Sequence, residues 1–409
     1  MSPAKSFIRN IHLYLGLASG LIIVFVCLTG SILAFEKEIE QTWHSERYFV
    51  DPAATPPLPL AHLAEAVRAY KPKAKITGFK VYTNPTRTVE VSLAGGPGPG
   101  KKEGAGAGRK GGSQQESGKG GGPGAEKGKG KGGGGGPRVF VNPYTAAVTG
   151  ELNPRDSFFK TVEQLHRGLV AGQIGKLVMG VSASIFLFIL GTGLVLWWPT
   201  ARKGFSQRLK VKWGSSWKRL NHDFHIVLGF YASVFLFIMA LTGVGMSFDW
   251  VGQGINKLTH SPMKRPEPPV SANAAPGTTT QAPDAVLALA RRQAPDAESY
   301  SLQLPQEHTG SIRVGVLRPG AVTENATDDI YFDQYSGQVI SIQSYAQRPV
   351  GQRIRGLFKP VHTGAIFGWP TKLLALAISL LGATFPITGT IMWLNRTRKN
   401  RKKQQLQVS

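Results

Sequence analysis

Four apolar blocks, residues 12–35, 177–198, 225–248 and 373–394, constrain this chain more than any other feature. Each is a largely uncharged run of about 20 residues, the length at which a helix crosses roughly 30 Å of hydrocarbon. Helices of a soluble core carry a polar stripe, which these blocks lack, so each is expected to span a membrane. The first block follows Lys5 and Arg9, as a secretory signal would. It outruns the usual signal core and no A-x-A cleavage pattern follows, so it is expected to stay as a helix.

The formal net charge is +24, which suggests nucleic acid until its location is considered. Between the second and third blocks lie Arg202, Lys203, Arg208, Lys210, Lys212, Lys218 and Arg219 with no acidic residue among them. The tail carries Arg396, Arg398, Lys399, Arg401, Lys402 and Lys403. Basic residues at membrane edges mark the cytoplasmic side, so both segments and the amino terminus are expected inside, with lipid rather than nucleic acid as the surroundings. Segments 36–165 and 250–365 then lie outside, which is the periplasm if the membrane is a bacterial inner membrane.

Residues 94–137 form a Gly/Lys tract on that outer side. Long loops weigh little in the charge rule, so the topology stands. With so few apolar residues the tract cannot offset its ordering entropy, and disorder is expected. Cys27 is the only cysteine, which excludes a disulfide framework or thiolate cluster within one chain.

The blocks repeat. Laid over the third block without gaps, the first matches His12 with His225, Gly16 with Gly229, Phe35 with Phe248, and Leu28-Thr29-Gly30 with Leu241-Thr242-Gly243. The second laid over the fourth matches His166 with His362, Gly168 with Gly364, Gly172 with Gly368, Lys176 with Lys372, Thr192-Gly193 with Thr388-Gly389, and Trp197 with Trp393. Shared apolar composition does not place His, Gly, Thr and Trp in register, so a duplication is expected. The outer segments repeat too: helix-like stretches at 60–71 and 283–293 precede strand–turn–strand patterns at 138–150 and 330–340. Both halves run outward and back, so a pseudo-two-fold axis along the membrane normal should relate them.

Such an axis pairs equivalent histidines, His12 with His225 at the inner face and His166 with His362 at the outer. Two facing neutral imidazoles can hold a haem iron from both sides, leaving no open position and favouring electron transfer. A polar anchor at a helix end is the ordinary reading of one interfacial histidine; four in matched pairs at costly membrane depth point to function. His222 lies one turn before His225 and is the alternative ligand on that helix. His44, His62, His260 and His308 have no matched partner and read as surface residues. Gly16, Gly168, Gly229 and Gly364 follow the four histidines and either admit a flat macrocycle or serve helix packing.

Arg9, Lys218 and Arg219 near the inner pair, and Arg167, Lys176, Lys372, Arg353 and Arg355 near the outer, are candidate partners for haem propionates or interfacial snorkelling residues. Trp197, Trp198 and Trp393 read as interfacial belt residues first, and Glu36, Glu38 and Asp249 as solvated helix ends.

These residues together give the chain a resemblance to the PepSY-associated transmembrane family, also labelled iron-regulated membrane proteins, which includes ferric-siderophore reductases. The likeness covers nearly the whole chain and rests on His12-x-x-x-Gly16 with Leu28-Thr29-Gly30, on Leu165-His166-x-Gly168 with Thr192-Gly193-x-x-x-Trp197, on their second copies, and on the two turn motifs. The Gly/Lys tract departs from the family pattern. The resemblance implies a membrane all-α core of four transmembrane helices in two parallel pseudo-symmetric repeats, with two small α+β PepSY-like periplasmic modules. It also implies two haem b groups held by His12, His225, His166 and His362, and reduction of a periplasmic ferric siderophore or other ferric chelate.

The expected division is an N-terminus with the first helix (1–36), a first outer module (37–165) carrying the insertion 94–137, and a second span with its His166 segment (166–199). A basic cytoplasmic loop (200–221), the third helix (222–249), a second outer module (250–361), a fourth span with its His362 segment (362–395) and a basic tail (396–409) complete it. No dinucleotide fingerprint, nucleophile triad or thiolate motif is present, so the electron donor is expected to be another protein, a diffusing flavin or a quinol. The reading from another class is a non-enzymatic envelope protein whose outer modules bind a protease, peptide or transporter; matched histidines at both faces favour electron transfer.

Overall fold

The structure is a computed structural model that describes residues 2–95, 136–199, 205–264, 266–272 and 278–408. The expected disordered tract, Arg202 and Lys203 thus lie largely or wholly outside the described residues.

In the first half, a long apolar helix α1 (Pro3–Ala34) is followed by the short helices α2 (Glu36–Trp43) and α3 (Ser45–Tyr48), then by α4 (Leu60–Tyr70). Strands β1 (Ile76–Tyr82), β2 (Val89–Leu93), β3 (Arg138–Val141) and β4 (Val148–Leu152) come next, and helices α5 (Phe158–Gly168) and α6 (Gly172–Trp197) return the chain. After the link helix α7 (Phe205–Arg208), the second half follows the same order. Helices α8 (Trp217–Asp223), α9 (Gly229–Ser247), α10 (Asp249–Leu258) and α11 (Pro283–Gln293) lead into β5 (Ser299–Gln303), β6 (Ile312–Leu317), β7 (Asp328–Phe332) and β8 (Val339–Gln343). Helices α12 (Val350–His362) and α13 (Trp369–Val408) end the chain.

Four helices among the described residues are long and apolar enough to cross a membrane: Pro3–Ala34, Gly172–Trp197, Trp217–Ser247 and Trp369–Lys399. The protein is therefore a membrane protein with a helical core. The helices outrun the apolar blocks because hydropathy marks the depth of hydrocarbon, whereas Ser2 starts α1 by accepting from Lys5 N and the basic tail simply continues α13. The third span is interrupted by a π-turn at Phe224–Leu228. Where α1 and α13 cross, Gly20 admits Pro386, whose Cβ lies 3.1 Å from where a Gly20 side chain would begin.

The segments 36–165 and 250–365 are joined through their strands. Their strands form one antiparallel sheet of eight, in the order β4-β3-β2-β1-β5-β6-β7-β8. The join is the β1–β5 ladder, where Phe79 faces Leu302, Lys80 faces Ser301 and Gly78 faces Gln303. At Gly78 an added Cβ would sit 2.2 Å from Leu302 O, so the seam requires glycine there.

Alternation sends Phe79, Val91, Val139, Leu302, Val314 and Phe332 to one face, where they bury against Leu63 and Val67 of α4 and Val286 and Ala290 of α11. Asp284 of α11 accepts from Leu60 N (2.6 Å) and Ala61 N (3.1 Å), capping the helix of the other half. Phe332 is wholly buried in this core. Phe332→Ala is expected to cost about 3–5 kcal/mol, measurable as a lowered unfolding midpoint of the full chain in detergent.

The opposite face carries Phe140, which packs on Tyr48 of α3 at 4.8 Å between ring centres. It carries ion pairs in corresponding places with the charges exchanged. On one side Glu90 of β2 accepts from Arg138 of β3 (3.0 Å); on the other Arg313 of β6 donates to Asp329 of β7 (2.8 Å). Lys37 of α2 pairs with Glu324 in the β6–β7 connection, tying sheet to bundle.

Candidate functional site

The bundle has two ends, one facing the sheet and one carrying the chain termini. His12, in the first turns of α1, lies near the terminal end. His166 packs against Thr29 and Gly30 near the other end of the same helix, so the two levels are about 26 Å apart along α1.

At the sheet end, the histidines stand outside the spanning helices. His166 is on α5, which Ser157 caps by accepting from Lys160 N, and a corner separates it from α6. That corner uses left-handed backbone at Leu169 (φ 49°) and Val170 (φ 58°), conformations that strain non-glycine residues by about 1–3 kcal/mol each. His362 ends α12, and Gly364 (φ 73°) makes the corresponding turn. Within 166–199 and 362–395, a turn thus separates the histidine from the spanning helix and lets each imidazole enter the bundle sideways.

The His166 and His362 ring centres are 6.1 Å apart. Two imidazoles bound to one metal through bonds of about 2 Å place their ring centres about 6 Å apart, so the pair has the spacing of ligands sharing an iron. Burial pushes the His166 imidazole down to about 4, with His362 beside it adding to the shift, and burial lowers His362 as well. Both rings are neutral at neutral pH, the form that ligates metals. His166 Nδ1 lies 3.0 Å from Thr29 Oγ1 and 3.1 Å from Val26 O; His362 Nδ1 lies 3.1 Å from Thr242 Oγ1 and 2.7 Å from Met239 O.

At the terminal end, His12 Nδ1 lies 2.9 Å from Thr192 Oγ1 and His225 Nδ1 lies 2.8 Å from Thr388 Oγ1. Both histidines line a cavity of about 750 Å³, within the range of cofactor pockets. Gly16 and Gly229 line it too, and a Cβ on Gly16 would meet nothing within 4 Å, so the glycine widens the cavity. Arg9, Arg208, Arg219 and Arg396 border the same space. An apolar cavity lined by two imidazoles with guanidinium groups along its border has the residues that would hold a haem.

The candidates therefore separate. His222 also lines the cavity, but its side chain is 44% exposed and its Nδ1 is 3.4 Å from Asp223 Oδ1. His225 instead makes the threonine contact shared by the other three, on the π-turn, a wide turn often found at functional sites. Arg219 borders the cavity while pairing with Asp223 at 2.9 Å. Arg167 pairs with Glu163 at 2.7 Å on its own helix, with its side chain 61% exposed. Lys372 reaches Glu38 at 2.6 Å.

Arg208 is a cavity residue that the sequence did not single out. Its guanidinium donates to Leu196 O and Trp197 O at the end of α6, and its place in the basic loop after the second block was its sequence signal. Gly168 and Gly364 do not face a macrocycle space: an added Cβ would meet Lys176 N at 3.3 Å and Thr371 O at 2.3 Å respectively, so both serve packing against the following helix.

Between the two levels lies an apolar layer. Leu190, Ala232, Leu236, Ala240 and Ile378 form one buried cluster, and Ile23, Cys27, Ile189 and Ala383 another.

A family model described as the PepSY-associated TM region matches residues 9–396. No curated protein matches the chain.

Proposed function

The chain belongs to the PepSY-associated TM family, and from that premise we propose that it is a di-haem electron-transfer protein, a ferric-chelate reductase of the bacterial inner membrane. The observation that carries this is the pair of imidazoles near each end of one helical bundle, the sheet-end pair with ring centres 6.1 Å apart.

His12 and His225 would hold one haem b and His166 and His362 the other. Held by two imidazoles, such a group would supply one-electron transfer rather than oxygen chemistry. Arg9, Arg208, Arg219 and Arg396 offer cations to propionates at the terminal end. The apolar layer between the levels keeps water out of the bundle interior.

The topology of this reading puts the basic terminal end in the cytoplasm and the sheet in the periplasm. The chain is then a duplication about an axis through the β1–β5 seam. Phe79 opposite Leu302, the exchanged ion pairs Glu90–Arg138 and Arg313–Asp329, and the shared element order support it. The donor is a cytoplasmic protein, a flavin or a quinol. The acceptor is a ferric siderophore or similar hard-oxygen chelate, whose grip on the metal weakens on reduction so that ferrous iron is released.

Pyridine haemochrome analysis of the purified full chain should approach two haems per polypeptide. After anaerobic reduction, adding ferric siderophore should reoxidise the protein with matching ferrous iron captured by a coloured chelator. A folded but colourless preparation overturns the haem reading. Reoxidation by quinone or a partner protein, but by no ferric chelate, overturns the substrate and leaves the conduit.

A further inference from the structure

Each of the four imidazoles meets a Thr-Gly pair on a neighbouring helix, and always through Nδ1. His166 meets Thr29-Gly30, His12 meets Thr192-Gly193, His362 meets Thr242-Gly243, and His225 meets Thr388-Gly389. A threonine hydroxyl has one proton, and here it is already engaged. Thr29 donates to Phe25 O (2.8 Å), Thr192 to Ile189 O (2.9 Å), Thr242 to Ile238 O (2.8 Å) and Thr388 to Thr384 O (3.0 Å). Each Oγ1 is thereby placed to accept from Nδ1, with the imidazole supplying the hydrogen. At the sheet end the carbonyls of Val26 and Met239 also face Nδ1 and can only accept. A neutral imidazole with its proton on Nδ1 has its lone pair on Nε2.

The glycines set the ring's position. A Cβ on Gly30, Gly193, Gly243 or Gly389 would lie 3.0, 3.3, 3.2 or 3.3 Å from the Cε1 of its histidine, so each ring edge rests where a side chain would otherwise begin.

We propose that Thr29, Thr192, Thr242 and Thr388 are positioning residues that fix the Nδ1–H tautomer of the four histidines and make Nε2 a stronger iron ligand. The proposal rests on the haem reading for its consequence, but the tautomer is a property of the protein itself. Holding the Nδ1 proton raises the electron density at Nε2, which favours ferric iron and lowers the midpoint potential.

The test has two arms on the full chain. In haem-free protein carrying isotopically labelled histidine, nitrogen NMR should find His12, His166, His225 and His362 as Nδ1–H tautomers, assigned by single replacement. In loaded protein, Thr192→Val or Thr388→Val should raise the potential of one redox wave, leave the other in place, and weaken haem retention about 10–100-fold. Thr→Ser at the same positions should restore both values. Nε2–H tautomers, or Thr→Val proteins with both haems at unchanged potentials, overturn the proposal. If the wild-type chain takes up no haem, the functional reading fails, and the NMR arm alone decides the tautomer.

Discussion

Alanine at any one of His12, His225, His166 or His362 is expected to remove one of two haems, halving the haem content of the purified chain. Each change removes one of the two imidazoles that would hold the group, and alanine offers no replacement. His12→Ala and His225→Ala should empty the terminal-end site, and His166→Ala and His362→Ala the sheet-end site. The absorbance of the remaining haem should be the same within each pair and differ between pairs. Because one site of the path is missing, ferric-chelate reduction should fall at least 100-fold in all four, a loss of about 2.7 kcal/mol or more in the barrier. His222→Ala should keep both haems, since His222 bonds Asp223 rather than a Thr-Gly pair. If His222→Ala loses a haem and His225→Ala does not, the ligand on that helix is His222.

Gly364→Val is expected to be nearly as damaging, though it touches no ligand directly. Gly364 has φ 73°, a left-handed conformation that a β-branched residue adopts only with strain of about 1–2 kcal/mol. Its Cβ would also meet Thr371 O at 2.3 Å and Ala375 Cβ at 2.8 Å, backbone and packed methyl rather than a movable side chain. The turn holding His362 must therefore open. The expected result is loss of the sheet-end haem with retention of the terminal-end haem, together with a lowered thermal midpoint. Retention of both haems at unchanged stability would contradict this account of the turn.

Much of the architecture was legible because lipid imposes simple rules. Four uncharged runs give four spanning helices, and the strand patterns at 138–150 and 330–340 match β3 with β4 and β7 with β8. The joining of the outer segments was not legible. A strand such as β1 shows the same alternation whether its second side meets solvent or another strand, and the partner lies in a distant part of the chain. The histidines, threonines and glycines were all visible as repeat markers. That each threonine serves a histidine on another helix was not, because such contacts cross between helices whose packing order periodicity does not encode.

Three local features escaped for other reasons. The α5–α6 corner uses Leu169 and Val170 where sequence rules expect glycine. The π-turn around His225 has no compositional mark. Arg167 looked available to the sheet-end site, yet Glu163 one turn earlier on the same helix takes its charge.

The β1–β5 seam limits how the molecule can move. Membrane proteins that carry solutes by alternating access rock one repeat against the other. Here five facing residue pairs, from Gly78–Gln303 to Tyr82–Ser299, join the halves above the bundle, and Asp284 fastens α4 across the same line. Rocking would have to shear that ladder and uncap that helix, exposing backbone groups at each step. The fold is thus a stapled frame, suited to holding a fixed distance between its two levels.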